Sequence, residues 1–182
     1  MFNFTQRGHI LSVKKKIQAM VEVMQTREWT DGYILPWDKM YLTGGAIASL
    51  IQGEKPKDLD FYFTDEAFML AMRAHLLHHK QHIADVDPKY KEVLGENGKM
   101  ITANAITMDD GASFITMIWG TPEQIKSTFD YVHCTPHYSL ADKLLYISPK
   151  QYTAAVNKVL IVNNESSVKE YRTTKFKERG YQ

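Results

Sequence analysis

Asp58 and Asp60 are separated by Leu59 and followed by the aromatic run Phe61-Tyr62-Phe63. Side chains alternate across a strand, so the two carboxylates share one face while Leu59 points to the other. Like charges a few ångströms apart repel unless a cation lies between them. Hard oxygen donors of this kind suit Mg2+ or Mn2+, which in turn hold nucleotide phosphates. Upstream, Gly44 and Gly45 follow Met40-Tyr41-Leu42-Thr43 and lead into Ala46–Ile51. Glycines let a phosphate approach the backbone, and a helix opening after them offers free N–H groups. Thr43 or Ser49 would add a hydroxyl. A lone Gly-Gly or Asp-x-Asp recurs by chance as a tight turn or a solvated strand end. Here they come in order, joined by a turn holding Gly53 and Pro56. That combination points to a metal–nucleotide site.

The elements that must position these residues follow from periodicity. Ile10, Val13, Ile17, Met20, Val21 and Met24 form one stripe of a first helix. Thr30-Asp31-Gly32 breaks it. Strands are expected over Met40–Thr43 and Leu59–Phe63, with a short helix over Ala46–Ile51 and an amphipathic helix from Asp65 to about His82. The stretch from Ala84 to Lys99, with Pro88, reads as a loop. Asp109-Asp110-Gly111 predicts a hairpin between strands Met100–Met108 and Ser113–Trp119. Thr121 suits a helix N-cap and Pro122 the first helical position. Phe129–Cys134 reads as an apolar strand, and Ser139 to the C-terminus as largely helical and basic. Mixed elements with hairpins favour an α+β fold: a mixed sheet flanked by helices in one domain over residues 1–182, with a core of about 38–138 and a helical extension of about 139–182.

The segment YLTGGAIASLIQGEKPKDLDFYF resembles the signature of the DNA polymerase β-like nucleotidyltransferase superfamily. It is also similar to the tRNA-nucleotidyltransferase version, through Gly53, Pro56, Lys57, Asp58, Leu59 and Asp60. CCA-adding enzymes carry Arg-Asp in the short helix where this chain has Ala48-Ser49, which argues against CCA addition. ANAIT, FITMIWGTPEQIKSTFDYVHCTPHY and YRTTKFKERGY resemble a small nucleotidyltransferase-like family of phages and large DNA viruses. Together the likenesses span nearly all of residues 40–181.

The superfamily resemblance implies a third acid, a metal ligand and base toward the attacking hydroxyl. Asp130 is the choice, standing among aromatic and apolar residues where a carboxylate is costly without a partner. Asp109 and Asp110 compete, but a hairpin already explains them. A capped or salt-bridged structural role is the alternative for Asp130. His133 is read equally as a substrate contact or a core histidine, and Cys134 as core. Arg172, Lys175 and Arg179 fall on one helical stripe that would face a triphosphate or an RNA backbone, or else simply solvent. Lys57 is read as solvent-facing. His75, His78, His79 and His82 are spaced for Zn2+ or Ni2+, but such a helix face is more often solvated or an interface.

The balance of 22 basic and 21 acidic residues excludes a global pull toward polyanions, so any such site must be a local patch. The single cysteine excludes an internal disulfide, and no stretch reaches the length of a membrane span. A cytoplasmic protein is expected (host cytoplasm if phage-encoded), with virion association open and the oligomeric state undetermined. The leading expectation is Mg2+- or Mn2+-dependent transfer of an NMP from an NTP to a hydroxyl on RNA, a protein or a small molecule. Asp58, Asp60 and Asp130 would be both catalytic and metal-binding. The rival is a catalytically silent scaffold of the same fold that binds a partner through exposed aromatics such as Trp29 or Tyr90. A toxin–antitoxin nucleotidyltransferase is a third reading.

Overall fold

Asn3 starts the first helix well ahead of the expected Ile10. Its side chain accepts the N–H of Gln6 at 2.9 Å, and its own N–H donates to the Gln6 side chain at 3.0 Å. This capping box opens α1 (Phe4–Met24). The expected stripe is in place: Val13, Ile17, Val21 and Met24 are buried, with Ile10 and Met20 packed beside them. The computed structural model describes residues 1–30, 35–86 and 98–182. Asp31, Gly32, Pro88 and Tyr90 therefore lie outside the described residues.

Among the described residues six strands form one sheet: β1 (Met40–Thr43), β2 (Leu59–Phe63), β3 (Ala105–Thr107), β4 (Ala112–Ile115), β5 (His137–Ser139) and β6 (Leu144–Tyr146), in the order β3-β4-β2-β1-β5-β6. β2 and β4 run parallel, and the other neighbouring pairs are antiparallel. The remaining helices are α2 (Gly45–Ile51), α3 (Glu66–His78), α4 (Pro122–Ser127), α5 (Pro149–Val156) and α6 (Glu170–Glu178). The α+β expectation holds. No described helix is long and apolar enough to cross a membrane.

Strand alternation divides the sheet into two environments. Leu42, Leu59, Phe61, Phe63 and Phe114 join the main core with α1, α2 and α3. Tyr41 and Tyr62 face the other way, against Ile125 of α4. Asp60 lies on that second face, beside Tyr62 in the alternation. Trp29 belongs to the main core at 1% exposure, edge-on to Phe114 at 5.5 Å, so it offers no partner surface.

Several expected boundaries move. α3 stops at His78 and gives way to a 3₁₀ turn at Lys80–His82, which breaks the helical spacing of the histidines. The Met100–Met108 strand shrinks because Ile101 folds back to bridge Ile106. The Thr102 hydroxyl accepts the N–H groups of Asn104 and Ala105 in that turn. β4 ends at Ile115, and Met117 and Trp119 beyond it are exposed. Phe129–Cys134 is not a strand: Tyr131 makes an isolated bridge to Val162, and Val132–Cys134 is a 3₁₀ turn. Asn163 ties this segment down, donating from its side chain to the carbonyls of Lys126 and Phe129 and from its backbone to that of Asp130. The region after Ser139 is not largely helical at its start, because β6 pairs with β5 and carries the sheet past the expected core boundary.

Candidate active site

β1 and β2 are antiparallel neighbours, with Leu42 opposite Phe61. This pairing sets the Gly44-Gly45 bend beside the start of β2. Gly44 has φ +90° and ψ −158°, a backbone region open almost only to glycine. Its N–H donates to the Cys134 carbonyl at 3.1 Å, so it is not offered to a ligand. An Asp60 carboxylate oxygen lies 3.4 Å from where a Cβ on Gly44 would stand, whereas nothing lies within 4 Å of that place on Gly45. The bend thus leaves room directly above Asp60.

Asp60 is half-buried, and its register partner on β4 is Ser113, whose hydroxyl hydrogen-bonds the carboxylate. Burial first, and the charge of Asp58 second, push the Asp60 carboxyl up to about 6. Lys175, Arg172 and the Ser113 hydrogen bond pull it the other way. Two carboxylates lining one cleft, one of them raised by burial and then by the other's charge, form a hard-oxygen donor set. These residues fit one Mg2+ or Mn2+.

A cleft of about 810 Å³ opens here, lined by Gly44, Gly45, Ser49, Asp58, Asp60 and Asp130 on the sheet side and by Arg172, Lys175 and Arg179 of the C-terminal segment. The cleft also takes in Lys55, Lys57 and Lys169, so six cations stand against Glu54, Asp58, Asp60 and Asp130. In a chain of formal net charge +1, the cleft is thus a local basic patch around four acids. Lys57 is exposed, as expected, yet it borders the cleft rather than facing away.

Thr43 departs from its expected role. It is 1% exposed, and its hydroxyl donates to the Pro136 carbonyl at 2.8 Å, because β5 covers this edge of β1. It does not line the cleft; Ser49 does, and its hydroxyl accepts from Arg179 Nη2 at 2.9 Å. Arg179 also reaches Glu54 at 3.2 Å, as Lys158 does at 2.9 Å. The Lys158 hydrogen bond, followed by Arg179, holds the Glu54 carboxyl below the usual range. Gln52 donates to the Tyr181 hydroxyl at 2.6 Å. These contacts fasten the C-terminal segment to the end of α2. Glu54 and Lys158 carry no sequence signal beyond a polar turn, so this clamp escapes a reading by motif.

Asp130 lines the cleft but is only 2% exposed, and it is engaged. Arg172 donates to both of its oxygens, Nη2 to Oδ1 at 3.1 Å and Nε to Oδ2, and the Tyr131 N–H donates to Oδ1 at 2.9 Å. Among the described residues, no three His, Cys, Asp or Glu side chains are grouped to hold a metal. The expected three-carboxylate set is therefore replaced by a carboxylate pair and a buried ion pair. The physical reason is the return of α6, which sets Arg172 against Asp130 first.

His133 is core. It is fully buried, with rings of Tyr181 at 4.3 Å and Phe176 at 4.5 Å, and among the described residues neither ring nitrogen has a hydrogen-bond partner. Burial drives its pKa down to about 4, against the opposing pull of Asp130. Cys134 is buried as expected, its thiol pushed up to about 12 by burial. The histidines of α3 are divided. His75 is buried with Nε2 2.6 Å from the Trp29 carbonyl, its ring 4.5 Å from His79, and His82 lies 3.6 Å from Glu28.

Comparison with solved structures finds a similar fold in CCA-adding enzymes. The Thermotoga maritima CCA-adding enzyme in complex with tRNA matches with a TM-score of 0.51 and 17% identity, over 79% of this chain and 34% of that one. A CCA-adding enzyme with CTP matches with a TM-score of 0.50 and 16% identity, over 79% and 35%. The apo form II of a CCA-adding enzyme matches with a TM-score of 0.50 and 15% identity, over 79% and 37%. The chain thus spans about a third of the length of each, and at these identities the likeness is one of fold. No curated protein matches. The family profile described as "Gad2: Gabija anti-defense 2 family protein" matches residues 11–158, from α1 through α5. With a nucleotidyltransferase-like fold and most of its length covered by that profile, the chain belongs to the Gabija anti-defense 2 family.

Proposed function

We propose that this protein is a metal-dependent nucleotidyltransferase that moves an NMP from an NTP to a hydroxyl acceptor. The observation that carries the reading is a single cleft lined both by Asp58 and Asp60 and by Arg172, Lys175 and Arg179. Asp58 and Asp60 would hold one Mg2+ or Mn2+, which supplies positive charge to the phosphate oxygens. Gly44 and Gly45 leave the space above Asp60 open for a phosphate. Arg172, Lys175 and Arg179 bind and orient the triphosphate, with Ser49 holding Arg179 in place. The acceptor oxygen attacks the α-phosphorus in line, pyrophosphate leaves, and the hydroxyl proton passes to a carboxylate of the cleft. The family's name ties the protein to countering the Gabija defence, and we take transfer onto a hydroxyl of that defence's molecules as its means.

The bond between Asp130 and Arg172 favours a second reading, in which the fold serves as a silent binding scaffold in the same anti-defence role. One experiment separates the two. The protein is incubated with each α-32P-labelled NTP, Mg2+ or Mn2+, and candidate RNA and protein acceptors. Transfer that disappears in Asp58→Ala and Asp60→Ala supports the enzyme. No label on any acceptor, with anti-defence activity intact in both variants, supports the scaffold and overturns the transferase.

A further inference from the structure

Asp130 differs from Asp58 and Asp60 in how its charge is met. Both of its oxygens accept from Arg172, and one also takes the Tyr131 N–H. Three of its roughly four lone-pair sites are thereby taken, and its charge is already matched by the guanidinium. The guanidinium is braced in turn: it lies over the Phe176 ring at 5.4 Å, and α6 continues to Arg179, which grips Ser49 and Glu54. Arginine has five N–H donors, and Asp130 takes those of Nε and one from Nη2. The remaining donors belong to a side chain that is 34% exposed and lines the cleft. Its positive charge also reaches Asp60.

We propose that Arg172 is the fixed second cation of this site. The protein takes one divalent ion, on Asp58 and Asp60. The Arg172 guanidinium, anchored by Asp130, meets the phosphate charge that a second ion would otherwise neutralise. Asp130 is then a positioning residue rather than a metal ligand. The inference rests on the nucleotidyltransferase reading above, and it fixes how many metal ions that site accepts.

The test counts metal without requiring turnover. The full chain is dialysed to equilibrium against MnCl2 and α,β-methylene nucleoside triphosphates of each base. Bound Mn2+ and nucleotide are then measured, and the EPR spectrum is recorded. The expected result is one Mn2+ per bound nucleotide with an uncoupled six-line signal. Arg172→Lys keeps that count. Arg172→Gln loses roughly tenfold in nucleotide affinity at low Mn2+ and takes up a second, exchange-coupled ion as Mn2+ rises, because Asp130 is released. Two coupled ions in the wild type would overturn the proposal while leaving the transferase reading standing. This holds even if Arg172→Gln fails to fold. Nucleotide retained with no Mn2+ beyond the buffer, unchanged in Asp58→Asn, would overturn the transferase reading and the proposal with it.

Discussion

Replacing Gly44 with alanine separates backbone strain from loss of space. At φ +90° and ψ −158° an L-residue costs about 1–3 kcal/mol relative to glycine. The new Cβ would stand 3.4 Å from the Asp60 carboxylate, which is ordinary contact, so strain rather than collision sets the stability loss. For a domain of this size each kcal/mol moves Tm by about 2–4 °C. Gly44→Ala is therefore expected to melt roughly 2–12 °C below wild type. Gly45→Ala is the internal control: nothing lies within 4 Å of its Cβ position, and it opens α2. There alanine is expected to be neutral or to stabilise by up to about 1 kcal/mol. The methyl on Gly44 also occupies the space above Asp60, so Mn2+ retention in the presence of nucleotide should fall in Gly44→Ala and not in Gly45→Ala. Thermal melts by circular dichroism, paired with Mn2+ dialysis, read both effects. Wild-type melting of Gly44→Ala, or an equal loss in Gly45→Ala, would refute the account of this bend.

Removing Asp130 leaves the Arg172 charge half-buried, so Asp130→Ala should lose about 3 kcal/mol in urea unfolding, the low end for a broken buried pair because Arg172 still reaches water. The double variant Asp130→Leu/Arg172→Met should recover most of that loss; equal losses in the single and double variants would count against the pair. His133 gives a pH dependence. Its folded pKa of about 4 lies below the unfolded value near 6.5, so the unfolded chain binds the extra proton and stability falls as pH drops between them. The loss should reach about 2 kcal/mol at pH 5, and His133→Leu should remove that component of the urea-midpoint shift between pH 7 and pH 5. Thr43→Val strands the Pro136 carbonyl and should cost about 1–3 kcal/mol. Nucleotide affinity should stay at the wild-type value, and a fall in affinity without a fall in stability would return Thr43 to the site.

Much of the site is legible in sequence because its signals are local. Leu59, Phe61 and Phe63 alternate with Asp58, Asp60 and Tyr62, and that alternation alone puts the acids opposite the core. Thr121 is the expected N-cap of α4 and Pro122 its expected first residue, and Gln124 completes a capping box. The misreadings arise where distant residues decide. Phe129–Cys134 has a strand's composition, but Asn163 satisfies its carbonyls from outside the sheet. β6 is apolar at all three positions, so its sequence hides the alternation by which Leu145 packs on the core while Leu144 and Tyr146 are exposed, and the turn before it uses Lys143 at φ 56° where a glycine would have given the signal. The partner of Asp130 lies 42 residues downstream, beyond any local pattern.

The C-terminal segment is what turns a pair of acids into a site. Without α6, the sheet face would present Asp58, Asp60 and Asp130 with few cations nearby, and a carboxylate as buried as Asp130 would be costly. The return of α6 cancels that cost through Arg172 and carries Lys175 and Arg179 to the same cleft. The spacing of these three residues on one helical stripe has a structural reason: Arg172 must reach Asp130, Arg179 must reach Glu54 and Ser49, and Lys175, between them, is left facing the opening. The matched profile stops at residue 158, so it takes in the acids Asp58, Asp60 and Asp130 of this cleft and leaves out Arg172, Lys175 and Arg179.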